Sequence, residues 1–364
     1  MRVHGGFPGG GTGIRFCGCC MMPADAVRGS AAAPGAARQP VTVGGRRVKT
    51  IDVHAHCHFA AVAGQLGAAA AVPPANVRGS DETVICLDQR LAAMDRQRVD
   101  MEVLSVNPYW YGKPVELARE MVRITNAEMA EFCAMHGDRF AGFAGLTLQE
   151  PRIAVGELEL AMKTQGLKGA AIGGNVAGVD FADPRFHPVW AKAEELGAVL
   201  FIHPQGTPQL KDRFAGNGWL GNTIGNPLDT TIALAKLILE GTLDRFPGLK
   251  VLAAHGGGYL PSYADRMDHA CMVNPNECNP GITLKKRPSE YMRDIWVDSL
   301  VFSPEAIRHL AAVCGVDRIV LGSDYPFPWQ MAPVDHVMAC DSLSDDEKVA
   351  VLSGTAARLL NIPD

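Results

Sequence analysis

No stretch of the 364-residue chain approaches the roughly 18 consecutive apolar residues of a membrane span, so none is expected. Positive charge is not in excess either. Against 39 Asp and Glu stand 34 Lys and Arg, which removes the basic footprint of a nucleic-acid binder. Zinc-ribbon spacing is missing: Cys17 and Cys20 form the one C-x-x-C, outside any βαβ pattern. Cys57, Cys86, Cys133, Cys271, Cys278, Cys314 and Cys340 are scattered, which suits reduced thiols in a cytoplasm. There is no repeat at a fixed 20–50-residue period, which argues against a solenoid. What is present, 47% apolar and 20% charged residues, is the make-up of an ordinary globular protein.

Residues 1–48 stand apart. They hold six arginines, no lysine and one acid, Asp25, and are rich in Gly, Ala and Pro. Such a segment buries too little apolar area to offset its ordering entropy, so it reads as a flexible leader. It lacks the apolar core of a secretory signal. An organelle transit peptide and a start assigned too far upstream, with Met21 and Met22 inside the segment, both stay open.

From residue 49 short apolar runs alternate with amphipathic segments. The runs are 50–53, 101–106, 140–146, 169–172, 198–202, 250–254, 295–298 and 319–321. Most are almost wholly apolar, as parallel strands buried on both faces are. Between them, 116–135 keeps helical spacing through Leu117, Met121, Ile124, Met129 and Phe132. Ser303-Pro304 is a cap followed by proline at the first helical position, and Gly315 closes that helix. Eight β-α alternations in about 310 residues predict an α/β fold, one closed (β/α)8 TIM-type barrel over residues 49–364. The runner-up, a doubly wound open sheet, lacks a G-x-G-x-x-G in its first βα turn.

Barrel enzymes react at the carboxyl ends of their strands. The first strand runs into Asp52-Val53-His54-Ala55-His56 and the fifth into His203-Pro204. The sixth runs into His255-Gly256-Gly257-Gly258 and the eighth into Gly322-Ser323-Asp324-Tyr325-Pro326. His54 and His56, two apart, point to one side of an extended strand. With His203 and Asp324 they make three imidazoles and a carboxylate, a shell suited to zinc with a position left open. His255 stands beside it as general acid or base, since imidazole titrates near neutral pH. An H-x-H pair alone is commonplace; five such residues at independently assigned strand ends are not. His58 extends the run as a spare ligand or an outer-shell residue, and Asp298 is the next proton carrier to consider.

His54-Ala55-His56, Phe201-Ile202-His203-Pro204, Ala254-His255-Gly256-Gly257-Gly258 and the run Gly322-Ser323-Asp324-Tyr325-Pro326-Phe327-Pro328 resemble the amidohydrolase superfamily. The resemblance spans residues 49–362. Within the superfamily it is similar to the branch of aminocarboxymuconate-semialdehyde decarboxylase and related metal-dependent decarboxylases. It implies His54, His56, His203 and Asp324 as metal ligands, His255 as acid/base, zinc or at times manganese, and a homodimer. Arg78, 16 residues before Met94, matches the family's carboxylate-gripping arginine, and Arg266 matches a second. A third arginine of the family finds no counterpart in the stretch His269–Asn274, which points away from a dicarboxylate.

The aromatics Tyr109-Trp110-Tyr111, Trp219, Phe327 and Trp329 would form a flat apolar slot for a planar acid. The three glycines after His255 would let backbone approach the metal closely. The expected activity is decarboxylation of a planar unsaturated or aromatic carboxylic acid by a carbon–carbon lyase. The alternatives are a metal-dependent hydrolase of a lactone, ester or amide and, below it, a dinuclear-metal oxygenase using iron or manganese.

Overall fold

A computed structural model of the chain describes residues 14–17, 20–23, 38–73, 77–278 and 280–363. Eight parallel strands follow one another as expected: β1 (Ile51–His56), β2 (Met101–Ser105), β3 (Phe140–Gly142), β4 (Gly169–Ile172), β5 (Val199–Ile202), β6 (Lys250–Ala253), β7 (Trp296–Asp298) and β8 (Ile319–Val320). After each comes a crossover helix: α1 (Leu87–Gln97), α2 (Val115–Met135), α3 (Pro151–Lys163), α4 (His187–Leu196), α5 (Asn226–Leu239), α6 (Leu260–Val273), α7 (Pro304–Cys314) and α8 (Thr355–Leu360). Ser303 caps α7, its side chain accepting from the Ala306 N–H. The ladders run β1-β2-β3 and β4 through β8. Two seams close the barrel. Ala144 N donates to Gly169 O at 2.9 Å between β3 and β4, and Val53 N donates to Leu321 O at 2.9 Å between β1 and β8.

Side-chain alternation decides what faces the lumen. Ile51, Val53, Met101, Val103, Phe143, Val199, Phe201, Leu252 and Val320 fill it, and Leu359, Leu360 and Ile362 join the same cluster from the end of the chain. A second cluster, with Ala55, Leu104, Leu200, Ile202, Val251 and Ala253, packs the strands against the helices. On β1 the parity breaks: Ile51 and Val53 face the lumen but Ala55 faces the helices. The pairing register with β2 shifts between Asp52 and Ala55. That irregularity turns His54 and His56 inward, as bulges beside active sites do. On β5 no such device is needed, because His203 continues the inward row of Val199 and Phe201.

The lower boundary of the folded chain differs from the expectation. Residues 41–48, assigned to the leader by composition, form a hairpin in which Val41 pairs with Val48 and Val43 with Arg46. Gly44 and Gly45, both at positive φ, make its turn. Val41, Val43 and Val48 are buried in the outer core. Arg47 binds the buried Asp100 carboxylate at 2.9 Å, and Arg38 binds it too. Asp100 also accepts from Thr50 N at 2.8 Å, at the start of β1. A bias toward Gly and Arg hid three valines that need covering. Farther upstream an antiparallel ribbon pairs Ile14–Cys17 with Cys20–Pro23, and the rest of the expected flexible leader lies outside the described residues.

Cys271 and Cys278, read as reduced thiols, are joined by a disulfide at the end of α6. Their seven-residue separation gave no signal of pairing. Among the described residues no helix is long and apolar enough to cross a membrane.

A chain beginning at Arg38 is expected to match the full chain in denaturant midpoint. One beginning at Lys49 exposes the contact surface of Val41 and Val43 and leaves Asp100 short of cations. With Val48 removed as well, it should lose on the order of 4.5–9 kcal/mol by urea denaturation, at roughly 1.5–3 kcal/mol for each of the three buried valines. Equal stability of the two would show the hairpin to be dispensable.

Candidate metal centre and active site

The inward row of β1, the end of β5 and the loop after β8 deliver His54, His56, His203 and Asp324 to one place. One donor atom from each lies within 4.8 Å of all the others, and all four residues are buried. Asp324 Oδ1 sits 2.8 Å from His56 Nε2, 3.2 Å from His54 Nε2 and 4.0 Å from His203 Nε2. Both ring nitrogens of His203 are buried without a hydrogen bond, an arrangement that costs free energy unless a ligand is met. The fit to a cation is therefore in the donors themselves: imidazole nitrogens and a carboxylate oxygen converging, one imidazole otherwise unsatisfied. This is the set that holds a divalent metal.

Outer partners fix the rings. His54 Nδ1–H donates to Asp298 Oδ2 at 2.6 Å, leaving Nε2 to point at the cluster. His56 Nδ1 meets Ser105 Oγ at 3.2 Å. Asp298 does more than hold one imidazole. It accepts from the backbone N–H of His255 at 2.9 Å, Gly256 at 2.9 Å and Leu300 at 3.1 Å. Both carboxylate oxygens are thus occupied, which corrects its reading as the next proton carrier. Gly322 makes the close packing possible, since a Cβ there would stand 2.9 Å from Asp298 Cβ and 3.0 Å from His54 Cβ.

His255 leaves the alternation of β6. By parity it would follow Val251 and Ala253 toward the helices, but its φ of 56° turns it to the rim. Its Nε2 lies 3.7 Å from Asp324 Oδ2, and Asp324 is itself at φ 65°. Two non-glycine residues held in the left-handed region, both at the site, mark strain kept by the surroundings. The glycines that follow serve packing rather than a metal: a Cβ on Gly256 would stand 2.7 Å from Val301 Cγ1, and one on Gly258 2.3 Å from Pro227 O.

Without an ion, the buried carboxylates hold a proton at the site. Burial opposes charge on His54, yet Asp324 and Asp298 outweigh it and raise its pKa to about 10. Burial lowers His56 and His203, keeping those imidazoles neutral. Asp324, although buried, is held well below the usual carboxylate range by His54 and its neighbours.

The site opens on a cavity of about 550 Å³ lined by His203, His255, Asp324, Phe302, Phe327 and Trp329, with five neutral polar residues among the rest. Phe327 faces His56 at 5.7 Å between ring centroids. Trp219 does not line the cavity but stacks on Trp329, at 5.6 Å and 17°. Trp110 and Tyr111, expected in the slot, are buried in the outer core. Arg78 is exposed; its neighbour Val77 lines the cavity. Arg266 is exposed on α6 and is not brought to the cavity of its own chain. His58 stays out of the donor cluster and stacks on Tyr109 at 5.9 Å.

One contributor was missed in the sequence. Arg90, on α1 and 2% exposed, pairs with Glu102 at 2.7 Å, donates to His56 O and lies 4.9 Å over the Tyr325 ring. It braces the two strand ends that carry His56 and Asp324. A single arginine in a helical segment gives no sequence signal of this.

A closed barrel with three histidines and an aspartate at its carboxyl rim defines a class of metal-dependent enzymes. The chain belongs to the amidohydrolase family, whose model matches residues 51–362. It is 34% identical over 279 residues to 2-amino-3-carboxymuconate-6-semialdehyde decarboxylase of Dictyostelium discoideum, covering 76% of each chain. It is 31% identical over 257 residues to gamma-resorcylate decarboxylase of Rhodococcus jostii, covering 66% of this chain and 77% of that one. Its fold is similar to that of 5-carboxyvanillate decarboxylase from Sphingomonas paucimobilis, with a TM-score of 0.78 and 28% identity over 87% of this chain and all of that one.

A proton on His54 competes with any cation. Its raised pKa means the metal-free site holds that proton below about pH 10. Apparent metal affinity should therefore climb about tenfold per unit from roughly pH 7 up to about pH 10, then level off. Chelator-competition titrations across that range measure it, and a flat profile would contradict a protonated His54.

Proposed function

We propose that the chain is a metal-dependent carboxy-lyase that removes carbon dioxide from a planar unsaturated or aromatic carboxylic acid. One observation carries this reading: a strained His255 faces the open side of a four-donor cluster, at the floor of a largely apolar cavity, in a chain 34% identical to a named decarboxylase. His54, His56, His203 and Asp324 are the ligands. Zinc is the expected ion, with manganese and iron as the alternatives that elemental analysis separates. When bound, the ion supplies Lewis acidity to a substrate oxygen and balances its charge.

The rest is done by the chain. Phe327 and the rings beside it hold the planar acid. Arg78, exposed beside the cavity, meets its negative charge on entry. His255 Nε2–H gives its proton to the carbon that bears the carboxylate. The bond to that carboxylate then breaks, its electron pair returns to the conjugated system, and carbon dioxide leaves. His255 recovers a proton from water. Asp298 keeps the His255 turn in place through its backbone amide. We further propose a homodimer and a cytoplasmic location, the latter on Cys57, Cys86, Cys133, Cys314 and Cys340, which are thiols.

A hydrolase would use the same donors, so the reaction itself must be read. Mass spectrometry of a panel of aromatic acids and lactones should show loss of carbon dioxide; gain of water by the lactones would favour hydrolysis. His203→Ala and Asp324→Ala should each weaken metal binding by more than the roughly 10–100-fold typical of losing an outer partner. Full metal content in both variants would overturn the ligand set.

A further inference from the structure

We infer that the substrate carries a single carboxylate, a hydroxyl, and an uncharged apolar tail that lies on the aromatic rings at the cavity mouth. This rests on the decarboxylase reading for the reacting end; the tail is argued from the cavity wall.

Charge comes first. Among the described residues the titratable ones lining the cavity are His203, His255 and Asp324, all at the metal-binding end, and no lysine or arginine lines it. The other polar groups in the wall are Asn107, Gln205, Asn222, Thr223 and Asn226, neutral groups that both donate and accept. A second carboxylate pressed against them would lose its hydration with no cation in return, a large penalty. Arg78 is exposed, and a cation in water gives little to a buried anion.

Next, the hydroxyl. Asn107 Oδ1 is buried in this wall without a hydrogen-bond partner. A buried acceptor left empty asks for a donor, and a substrate hydroxyl supplies one where a carboxylate or a methoxy group cannot.

The tail follows from the mouth. About 550 Å³ lies in the middle of the range for drug-sized ligands, more than one small ring needs. Phe302 and Trp329 line the cavity, and Phe302 is tilted on Trp329 at 6.3 Å. Trp219 then stacks on Trp329 while remaining 50% exposed, and Phe302 is 65% exposed. Trp219 reaches that position from a backbone φ of 50°, a conformation a bulky residue seldom holds. Three rings, joining the loop after β5 to the loops after β7 and β8, extend the apolar surface of the cavity outward without a break. Exposed apolar surface that continues a binding cavity is what the apolar tail of a bound ligand would cover.

The test uses zinc-loaded protein and three acids on one hydroxybenzoate ring: the parent, the parent with a second carboxylate, and the parent with a pentyl tail. Calorimetric titration should show the tailed acid binding at least tenfold tighter than the parent, since each buried methylene is worth about fourfold. The dicarboxylate should bind about tenfold or more weaker. Trp219→Ala, a change at a half-exposed residue, should cut the gain from the tail to threefold or less. Asn107→Leu should erase the preference for the parent over its deoxy analogue, a fourth acid titrated alongside these three. A dicarboxylate that binds tighter than the parent, a tail that adds nothing, or a gain untouched by Trp219→Ala would overturn the inference. Turnover is read separately on the same three acids. Absence of carbon dioxide from all of them would overturn the decarboxylase reading, while the order of affinities would still decide the substrate class.

Discussion

The Asp298 carboxylate is the contact on which the site hangs. Buried among apolar strands, an anion would be expelled from the fold unless each lone pair found a donor. Here it finds four: the His54 imidazole and the amides of His255, Gly256 and Leu300. Charge-assisted bonds of this kind contribute roughly 1.5–3 kcal/mol each, enough to offset desolvation and to hold a left-handed turn. One side chain thereby sets the tautomer of a ligand on β1 and the backbone of the proposed acid on β6. Burial pushes its pKa up, but His54 and the donors around it prevail and keep it below the ordinary carboxylate value.

Around that contact the barrel departs from regular geometry wherever a functional side chain must face the lumen against parity. The register shift on β1 aims His54 and His56, and positive φ aims His255 and Asp324. Only His203 arrives by simple alternation. The cost of these departures is met by the packed floor beneath them, where Phe143 and Phe201 stack and His54 packs edge-on against Phe201. Arg90 adds a brace from behind by joining the His56 carbonyl to the Tyr325 ring. The donors are thus held in place by outer contacts as well as by their own strands.

Much of this was legible in the chain. All eight strands and the helices α2 and α7 follow from apolar runs, helical spacing and capping residues, because buried parallel strands must be apolar along their whole length. The five residues at the rim follow from their place after those strands. What escaped depends on distance in space rather than on order in the chain. Arg90 and the wall amides come from helices and loops whose approach to the cavity no local pattern encodes. Val41 and Val43 were masked by a neighbourhood of glycine and arginine. Trp110 looked like a slot residue and is core, since an aromatic after a strand serves either end equally well. Asp298 was visible as a strand-end acid, but its role as an acceptor for three loop amides belongs to the folded turn.

Whether the donors hold a metal while His255 moves the proton is settled by one paired measurement, metal content and turnover on the same His255→Ala preparation. His255 stands 3.7 Å from Asp324 and outside the four-donor cluster, so the variant should keep its metal. It should lose turnover by about 10²–10⁴, the usual worth of a positioned acid or base. Metal lost together with activity would make His255 a ligand, and activity retained would place the proton carrier elsewhere; either result contradicts the account.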